Sequence, residues 1–344
     1  MHKKEIKITI IGAGSWGTTL AVMLADRGNE IVHWIRSKEV YDDISENHLN
    51  SKYTRNLVIP NNVKPITGNC KKFTKGTQII ILAVPSYALR NVIKKFYRPL
   101  ESAQNTIKCI LNVAKGFETG TNLRLSEVIK QSLPKRLTEK VCSLSGPNIA
   151  FEVGNNMPSI SVIASDNQEI MRFLQPILST NTFRVYTNSD VIGVETGGAV
   201  KNIMAIASGI SDGLGYGSNT KASIISRGIF ELSKFGLFMG ANPLTFSGAA
   251  SIGDLIATCI SSHSRNRRVG ERLGQGESID DILKSMYMVA EGVSTSRTVY
   301  EIAVNQKIDV PITECVYEII FKNLSPQASV SQLMHRKFKS EIED

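Results

Sequence analysis

The sequence predicts an α/β domain built on a parallel sheet, followed by an all-α domain. Three observations carry that prediction. Apolar runs alternate with helix-period segments through the first half, a glycine-rich turn follows the first run directly, and strand-like runs stop near residue 190. At 344 residues the chain is long enough for two cores of ordinary size.

In order, the apolar runs predict strands over 6–12, 30–36, 78–84, 107–114 and 140–146, with helices over 15–27, 86–97 and 121–132 between them. Two further runs, 159–165 and 182–187, flank a helical pattern near 166–179 and extend the sheet. Beyond SDVIG (189–193) the 3.6-residue period takes over: 193–211, 219–239, 243–258, 265–274, 278–287, 293–305 and 313–322. The domains are therefore expected at 1–190 and 191–344. The charged last 15 or so residues are expected to fray.

Composition excludes several classes. With 42% hydrophobic and 21% charged residues the chain is globular, not disordered. Lys plus Arg number 40 against 31 Asp plus Glu, and the formal charge of +9 suits anionic ligands. The basic residues form only local knots, KKF (71–73) and RNRR (265–268), and no long Lys/Arg run with interleaved aromatics appears, so no specific nucleic-acid partner is expected. The five cysteines form no CxxC and the histidines no HExxH, which predicts reduced thiols, no disulfide framework and no metal. No apolar run approaches the ~20 residues of a membrane span, and the short N-terminal run enters glycines without a cleavage pattern. A cytoplasmic location is expected.

GAGSWG (12–17) has the G-x-G-x-x-G spacing between a strand and a helix. Gly12 permits the tight turn, Gly14 lets a pyrophosphate approach the backbone, and Gly17 lets helix and strand pack closely. The first domain is thus expected to be of Rossmann type and to bind a dinucleotide at the helix N-terminus. The second strand ends at Arg36, where strictly NAD-dependent chains place a carboxylate. A cation there suits a 2′-phosphate, so NADP is admitted alongside NAD; a solvent-facing arginine is the ordinary alternative.

Lys115 stands among small residues just past a strand, where ligands gather in open sheets; a surface lysine is the alternative. SGPN (145–148) ends the next strand in a turn that frees backbone amides. Asp254 falls in an apolar helical stretch and needs a partner. Ser264 is a good N-cap, and Arg265 and Asn266 after it make either a phosphate site or an ordinary basic turn. Lys201 interrupts GGAVKNIMAIASG (197–209), on a face formed by Gly197, Gly198, Ala205 and Ser208. That bare face invites the close approach of another helix or of a ligand, and it offers no apolar surface for the lysine stem to follow. Ile203, Ile206 and Ile210 oppose it and are expected in the core.

Together GAGSWGTTLA (12–21), AKGFE (114–118), SGP (145–147), GGAVKNIMAIASGISDGLG (197–215), GDL (253–255), SRNRRVG (264–270), LGQG (273–276), EG (291–292) and VPITE (310–314) resemble the bacterial-type NAD(P)-dependent glycerol-3-phosphate dehydrogenases over nearly the whole chain. The resemblance implies a homodimer that interconverts sn-glycerol 3-phosphate and dihydroxyacetone phosphate with NAD(P)(H), supplying glycerol phosphate to phospholipids. It implies Lys201 as the proton-transfer lysine and Lys115 as a second active-site lysine. Asp254 becomes the carboxylate that holds substrate and lysine. Ser264, Arg265 and Asn266 form the phosphate cluster, and Gly146 makes a backbone contact. Ser15, Trp16, Arg36, Ala150, Val289 and Glu291 fall at dinucleotide positions, to which Lys115 and Arg265 also contribute. Two departures stand out. Asn148 and Ile149 replace the family's hydroxyl residue and aromatic after SGP, with Asn148 kept at the substrate site, and the segment 37–53 matches poorly. The competing readings are a 6-phosphogluconate or hydroxyacid type of dehydrogenase and a non-catalytic NADPH-binding regulator. A hydroxyacyl enzyme should carry a catalytic histidine, and between residues 50 and 330 there is only His263.

Overall fold

The computed structural model describes residues 6–68, 75–338 and 340–341; Cys70 and the KKF knot lie outside the described residues. The chain forms two compact units, Met1–Ala199 with Gly236–Asp254, and Val200–Phe235 with Leu255–Asp344.

The first unit is built on eight strands: β1 (Lys7–Ile11), β2 (Glu30–Ile35), β3 (Val63–Thr67), β4 (Ile79–Leu82), β5 (Cys109–Asn112), β6 (Val141–Ser145), β7 (Ser159–Ala164) and β8 (Phe183–Asn188). They lie in the order β3-β2-β1-β4-β5-β6-β7-β8. Every neighbouring pair is parallel except β6 and β7, which pair Ser143 with Ala164 in antiparallel register. The connecting helices are α1 (Ser15–Ala25), α2 (Lys38–Asn47), α3 (Leu89–Lys95), α4 (Tyr97–Ser102), α5 (Leu125–Ser132), α6 (Ala150–Gly154) and α7 (Gln168–Leu178). β4 reads Ile-Ile-Ile-Leu because it is covered on both faces. Ile79 and Ile81 join Leu20, Leu24 and Leu174 on one side, and Ile80 and Leu82 join Leu89, Ile93 and Ile129 on the other.

The strand expectations hold to within a few residues, but β3 and α2 have no counterpart among them. β3 reads VKPIT, and its proline disqualifies an interior strand. Among the described residues β3 lies at the sheet edge beside β2 alone, a position where proline is tolerated. α2 is mostly polar and buries only Val40 and Ile44, four residues apart, too narrow a stripe to register as a period.

The second set of helices is α8 (Val191–Gly213), α9 (Ser218–Phe238), α10 (Asp254–Ile260), α11 (Arg265–Gly274), α12 (Ile279–Lys284), α13 (Glu291–Gln306), α14 (Pro311–Lys322) and α15 (Pro326–Met334). α8, α9 and α10 contribute residues to both units. Ile203, Ile206 and Ile210 of α8 are buried as expected. The expected helix over 243–258 is instead a 3₁₀ turn, Pro243–Ser247, a π-helical turn, Ala249–Gly253, and then α10. Gly248, with extended backbone (φ −92°, ψ 176°), separates the 3₁₀ turn from the π turn, and the π turn runs on directly into α10 at Asp254, whose N–H bonds back to Ala249 O. α15 runs through residues expected to fray, because Ser325 caps it and Ser329 is buried. α8 and α11 cross with almost no gap: a Cβ on Gly209 would overlap Arg267 O, and one on Gly270 would overlap Ile206 O. That crossing fixes the start of α11 beside the middle of α8.

Candidate active site

The carboxyl ends of β1, β4, β5 and β6 share one sheet edge, where ligands collect in this architecture. At β1 the glycine turn does what its spacing predicts. Gly12 has φ +115°, and a Cβ there would overlap Ala83 O. A Cβ on Gly17 would overlap Gly12 O, so it keeps α1 against the turn. Gly14 has no protein atom within 4 Å of its missing Cβ, and no side chain caps α1. An open backbone at an uncapped helix N-terminus fits a pyrophosphate. His33, fully buried on β2, hydrogen-bonds Gly12 O through Nε2 at 3.0 Å and braces the turn from below. Burial lowers its pKa to about 4, the Gly12 hydrogen bond opposing. Around the turn, Ser15 opens α1 and Trp16 packs on Phe183 at 6.3 Å. Ala150 O accepts from Thr19 Oγ1 of α1 at 3.3 Å, which draws α6 beside the turn. Arg36 is exposed at the end of β2.

Past β5, Asn112 clamps the loop: its Nδ2 donates to Ala114 O and its Oδ1 accepts from Ala114 N, both at 3.1 Å. Lys115 is thereby aimed. Its Nζ donates to Gly146 O at 3.0 Å and pairs with Asp254, a carboxylate only 2% exposed. So the carboxylate that the sequence showed as needing a partner has Lys115. Gly146 is required by close approach, since a Cβ would lie 2.8 Å from Ile160 O. Asn148, expected at the substrate site, is engaged elsewhere. Its Nδ2 donates to Ile160 O at 2.8 Å and its Oδ1 accepts from Ser161 Oγ at 2.9 Å, so both ends of the amide fasten the SGPN turn to β7.

In the second unit Lys201 is 6% exposed and donates to Thr258 Oγ1 at 2.6 Å. The bare face of α8 around it is covered by protein: Ala205 and Ser208 are fully buried, and Ser208 Oγ donates to Cys259 O of α10 at 3.1 Å. Within the first unit, Cβ atoms on Gly197 and Gly198 would meet Ser251 Oγ and Ser145 Oγ. These glycines therefore clear room for protein side chains, where the bare face had left the approach of protein or of a ligand open. Thr258, unassigned from sequence, could have been found by spacing: it follows Asp254 by four residues and shares its face of α10.

Ser264 caps α11 by accepting from Arg267 N at 3.2 Å. Asn266 is buried, with Nδ2 donating to Asn202 Oδ1 at 2.8 Å and Oδ1 accepting from Gly292 N at 2.9 Å. Its amide therefore ties α11 to α8, one residue after Lys201, and to the start of α13. Arg265 is exposed and reaches Val289 O at 2.9 Å, just before Glu291 opens α13. The unit thus gathers an amine, a guanidinium and a capped helix N-terminus, a donor set suited to a phosphorylated, oxygen-rich substrate. Among the described residues no group of three or more His, Cys, Asp or Glu could hold a metal, the cysteines are free thiols, and no helix is long and apolar enough to cross a membrane.

Comparison with known proteins agrees with this chemistry. Residues 7–171 match the family model of the NAD-dependent glycerol-3-phosphate dehydrogenase N-terminus, and 190–331 that of its C-terminus. Glycerol-3-phosphate dehydrogenase [NAD(P)+] of Bacillus pumilus is 45% identical over 98% of this chain and 96% of its own length. That of Chlorobium phaeobacteroides is 45% identical over 98% and 99%. The crystal structure of glycerol-3-phosphate dehydrogenase from Coxiella burnetii superposes with a TM-score of 0.88 at 35% identity, covering 96% of this chain and 99% of that one. The chain belongs to the NAD-dependent glycerol-3-phosphate dehydrogenase family.

Proposed function

We propose that the protein interconverts sn-glycerol 3-phosphate and dihydroxyacetone phosphate with NAD(P)(H), with Lys201 as general acid and base. The observation that carries this reading is a buried lysine whose Nζ donates to Thr258 Oγ1, on the helix that opens with Asp254. Gly12, Gly14, Gly17 and the start of α1 are the groups that would hold the dinucleotide, with Ser15, Trp16, Arg36, Ala150, Val289 and Glu291 along it. When bound, the nicotinamide supplies or accepts the hydride at C2 of the substrate.

The chain's own residues do the rest. The Lys201 ammonium stabilises the charge that develops on the C2 oxygen and gives it a proton; the neutral amine takes that proton back in the reverse direction. Lys115, aimed by Asn112 and paired with Asp254, supplies a second cation for substrate oxygens. Arg265, Ser264 and the N-terminal amides of α11 hold the phosphate and so fix C2. Asn266 serves by fastening α11 to α8. Family membership supports a homodimer acting in the cytoplasm, with glycerol 3-phosphate passing to phospholipid synthesis. The test is to follow NADH and NADPH oxidation separately with dihydroxyacetone phosphate as acceptor. Turnover is expected with at least one of the two, and none with either would overturn the reading. Arg36 predicts that NADPH is accepted, and Arg36→Asp should shift preference towards NADH.

A further inference from the structure

Glu195 takes no part in the chemistry above, yet it is one of the few buried carboxylates of the first unit. It lies in the first turns of α8, 9% exposed, and both of its oxygens are saturated. Oε1 accepts from Ser126 N at 3.0 Å and Ser143 Oγ at 2.8 Å; Oε2 accepts from Ser126 Oγ at 2.6 Å and Arg124 Nη1 at 3.2 Å. One side chain thus bolts α8 to the N-terminus of α5 and to β6. Burial pushes its carboxyl pKa up, against the opposing pull of Ser126, Arg124 and Ser143.

One turn further along α8 is Gly198. A Cβ there would lie 2.6 Å from Ser145 Oγ and 3.6 Å from Lys115 Cδ, so the glycine backbone is the wall behind the Lys115 stem. Glu195, Gly198, Ser143, Ser145 and Lys115 line one cavity of about 10 Å³. That is the volume of a single water at most, so a shift of α8 cannot be absorbed by free space and must move its neighbours.

We infer that Glu195 is a positioning residue for Lys115: it sets the height of the first turns of α8 over β6, and that height sets where the Lys115 ammonium stands. The inference rests on the reading of Lys115 as an active-site group. It is reached through the wall at Gly198, since Glu195 makes no hydrogen bond to Lys115 itself. Replacing Glu195 with Gln sets an NH₂ against an obligate donor whichever way the amide turns, Ser126 N–H at one oxygen position or Arg124 Nη1 at the other, leaves volume nearly unchanged, and should tilt α8 without emptying the core.

The experiment compares Glu195→Gln, Ser143→Ala, Lys115→Ala and the double variant Glu195→Gln/Lys115→Ala. Turnover and KM for dihydroxyacetone phosphate, NADH and NADPH affinity and thermal unfolding are measured on each. Glu195→Gln is expected to lower kcat roughly 10–100-fold, the order of loss from a misplacement of about 1 Å, with KM and nucleotide affinity changed about two-fold at most. Ser143→Ala, which removes one of four donors and is the milder change for folding, should lower kcat about 2–10-fold by the same route. In the Lys115→Ala background Glu195→Gln should cost almost nothing more, because the two act in series. An equal loss of kcat in that background would show that Glu195 acts elsewhere and would overturn the inference. So would normal kcat in both Glu195→Gln and Ser143→Ala beside a crippled Lys115→Ala. Normal kcat in Lys115→Ala would instead remove the role given to Lys115, and the inference with it.

Discussion

Two glycine clusters, Gly12–Gly17 and Gly197–Gly198, look alike in sequence and differ in what fills the space beside them. At the turn, Gly14 opens onto nothing within 4 Å, while Gly12 and Gly17 are pressed on backbone. In α8 both glycines are pressed on serine hydroxyls that have no hydrogen-bond partner, Ser251 Oγ and Ser145 Oγ. The lesson is that a bare helix face signals close approach, and only the fold decides whether the approaching group is protein or ligand. In α8 the glycines therefore serve packing, and the substrate chemistry proposed for this helix falls to Lys201.

That contrast can be broken by substitution. The largest effect is expected from Lys201→Ala: turnover should fall roughly 10²–10⁴-fold, with nucleotide affinity and thermal stability close to the parent's. Near-normal turnover would sink the assignment. Gly197→Ala should act in the opposite sense, costing about 1–3 kcal/mol of stability through overpacking. Ser251→Ala should rescue it only in part, since Ser251 Cβ at 3.1 Å and Ala250 O at 3.3 Å would still crowd the new methyl. Gly14→Ala should weaken NADH or NADPH binding roughly 10-fold or more while leaving the unfolding temperature unchanged, since no protein atom is displaced; a loss of stability without a loss of affinity would reverse the contrast.

Gly198→Ala sharpens the comparison further. Its clash is with one atom, Ser145 Oγ at 2.6 Å; the next neighbours, Ser145 Cβ at 3.5 Å and Lys115 Cδ at 3.6 Å, are ordinary contacts. A cost of about 1 kcal/mol is expected, and Ser145→Ala, which deletes an unpartnered hydroxyl, should restore both stability and turnover. Failure of that rescue in a folded double variant would mean that α8 is held by something other than this contact.

The smallest expected effect concerns His33 beneath the turn. Its folded pKa of about 4 lies below the usual 6.5, so the unfolded chain binds the proton more readily. Its contribution is whole above pH 6.5 and is lost as pH falls towards 4. Between pH 7.5 and 6 this amounts to about 1 kcal/mol, read as a drop in unfolding temperature that His33→Gln should abolish.

Most of the fold was legible because its strands are apolar runs covered on both faces and its helices carry regular stripes. β3 and α2 were not, because an edge strand tolerates proline and a surface helix needs only two apolar contacts. The site was legible where one residue type has few uses: glycines at G-x-G-x-x-G spacing, Asp254 and Lys201 in apolar surroundings, Ser264 before a helix. It was illegible where the role depends on a partner distant in sequence. Nothing near Asn148 says that β7 takes both ends of its amide, and nothing near Asn266 points to Asn202 and Gly292. Nor does the sequence near Glu195 indicate α5 and β6, 52 to 71 residues away.

By itself, then, the sequence determined the two architectures, the dinucleotide turn and the two lysines, since these follow from local period, backbone freedom and the cost of burying a charge. Tertiary structure decided the partners: Lys115 with Asp254, Lys201 with Thr258, and serines against the glycines of α8. The physical reason is that a buried polar group must find a partner, but nothing local to it specifies which distant residue the packing will bring within 3 Å.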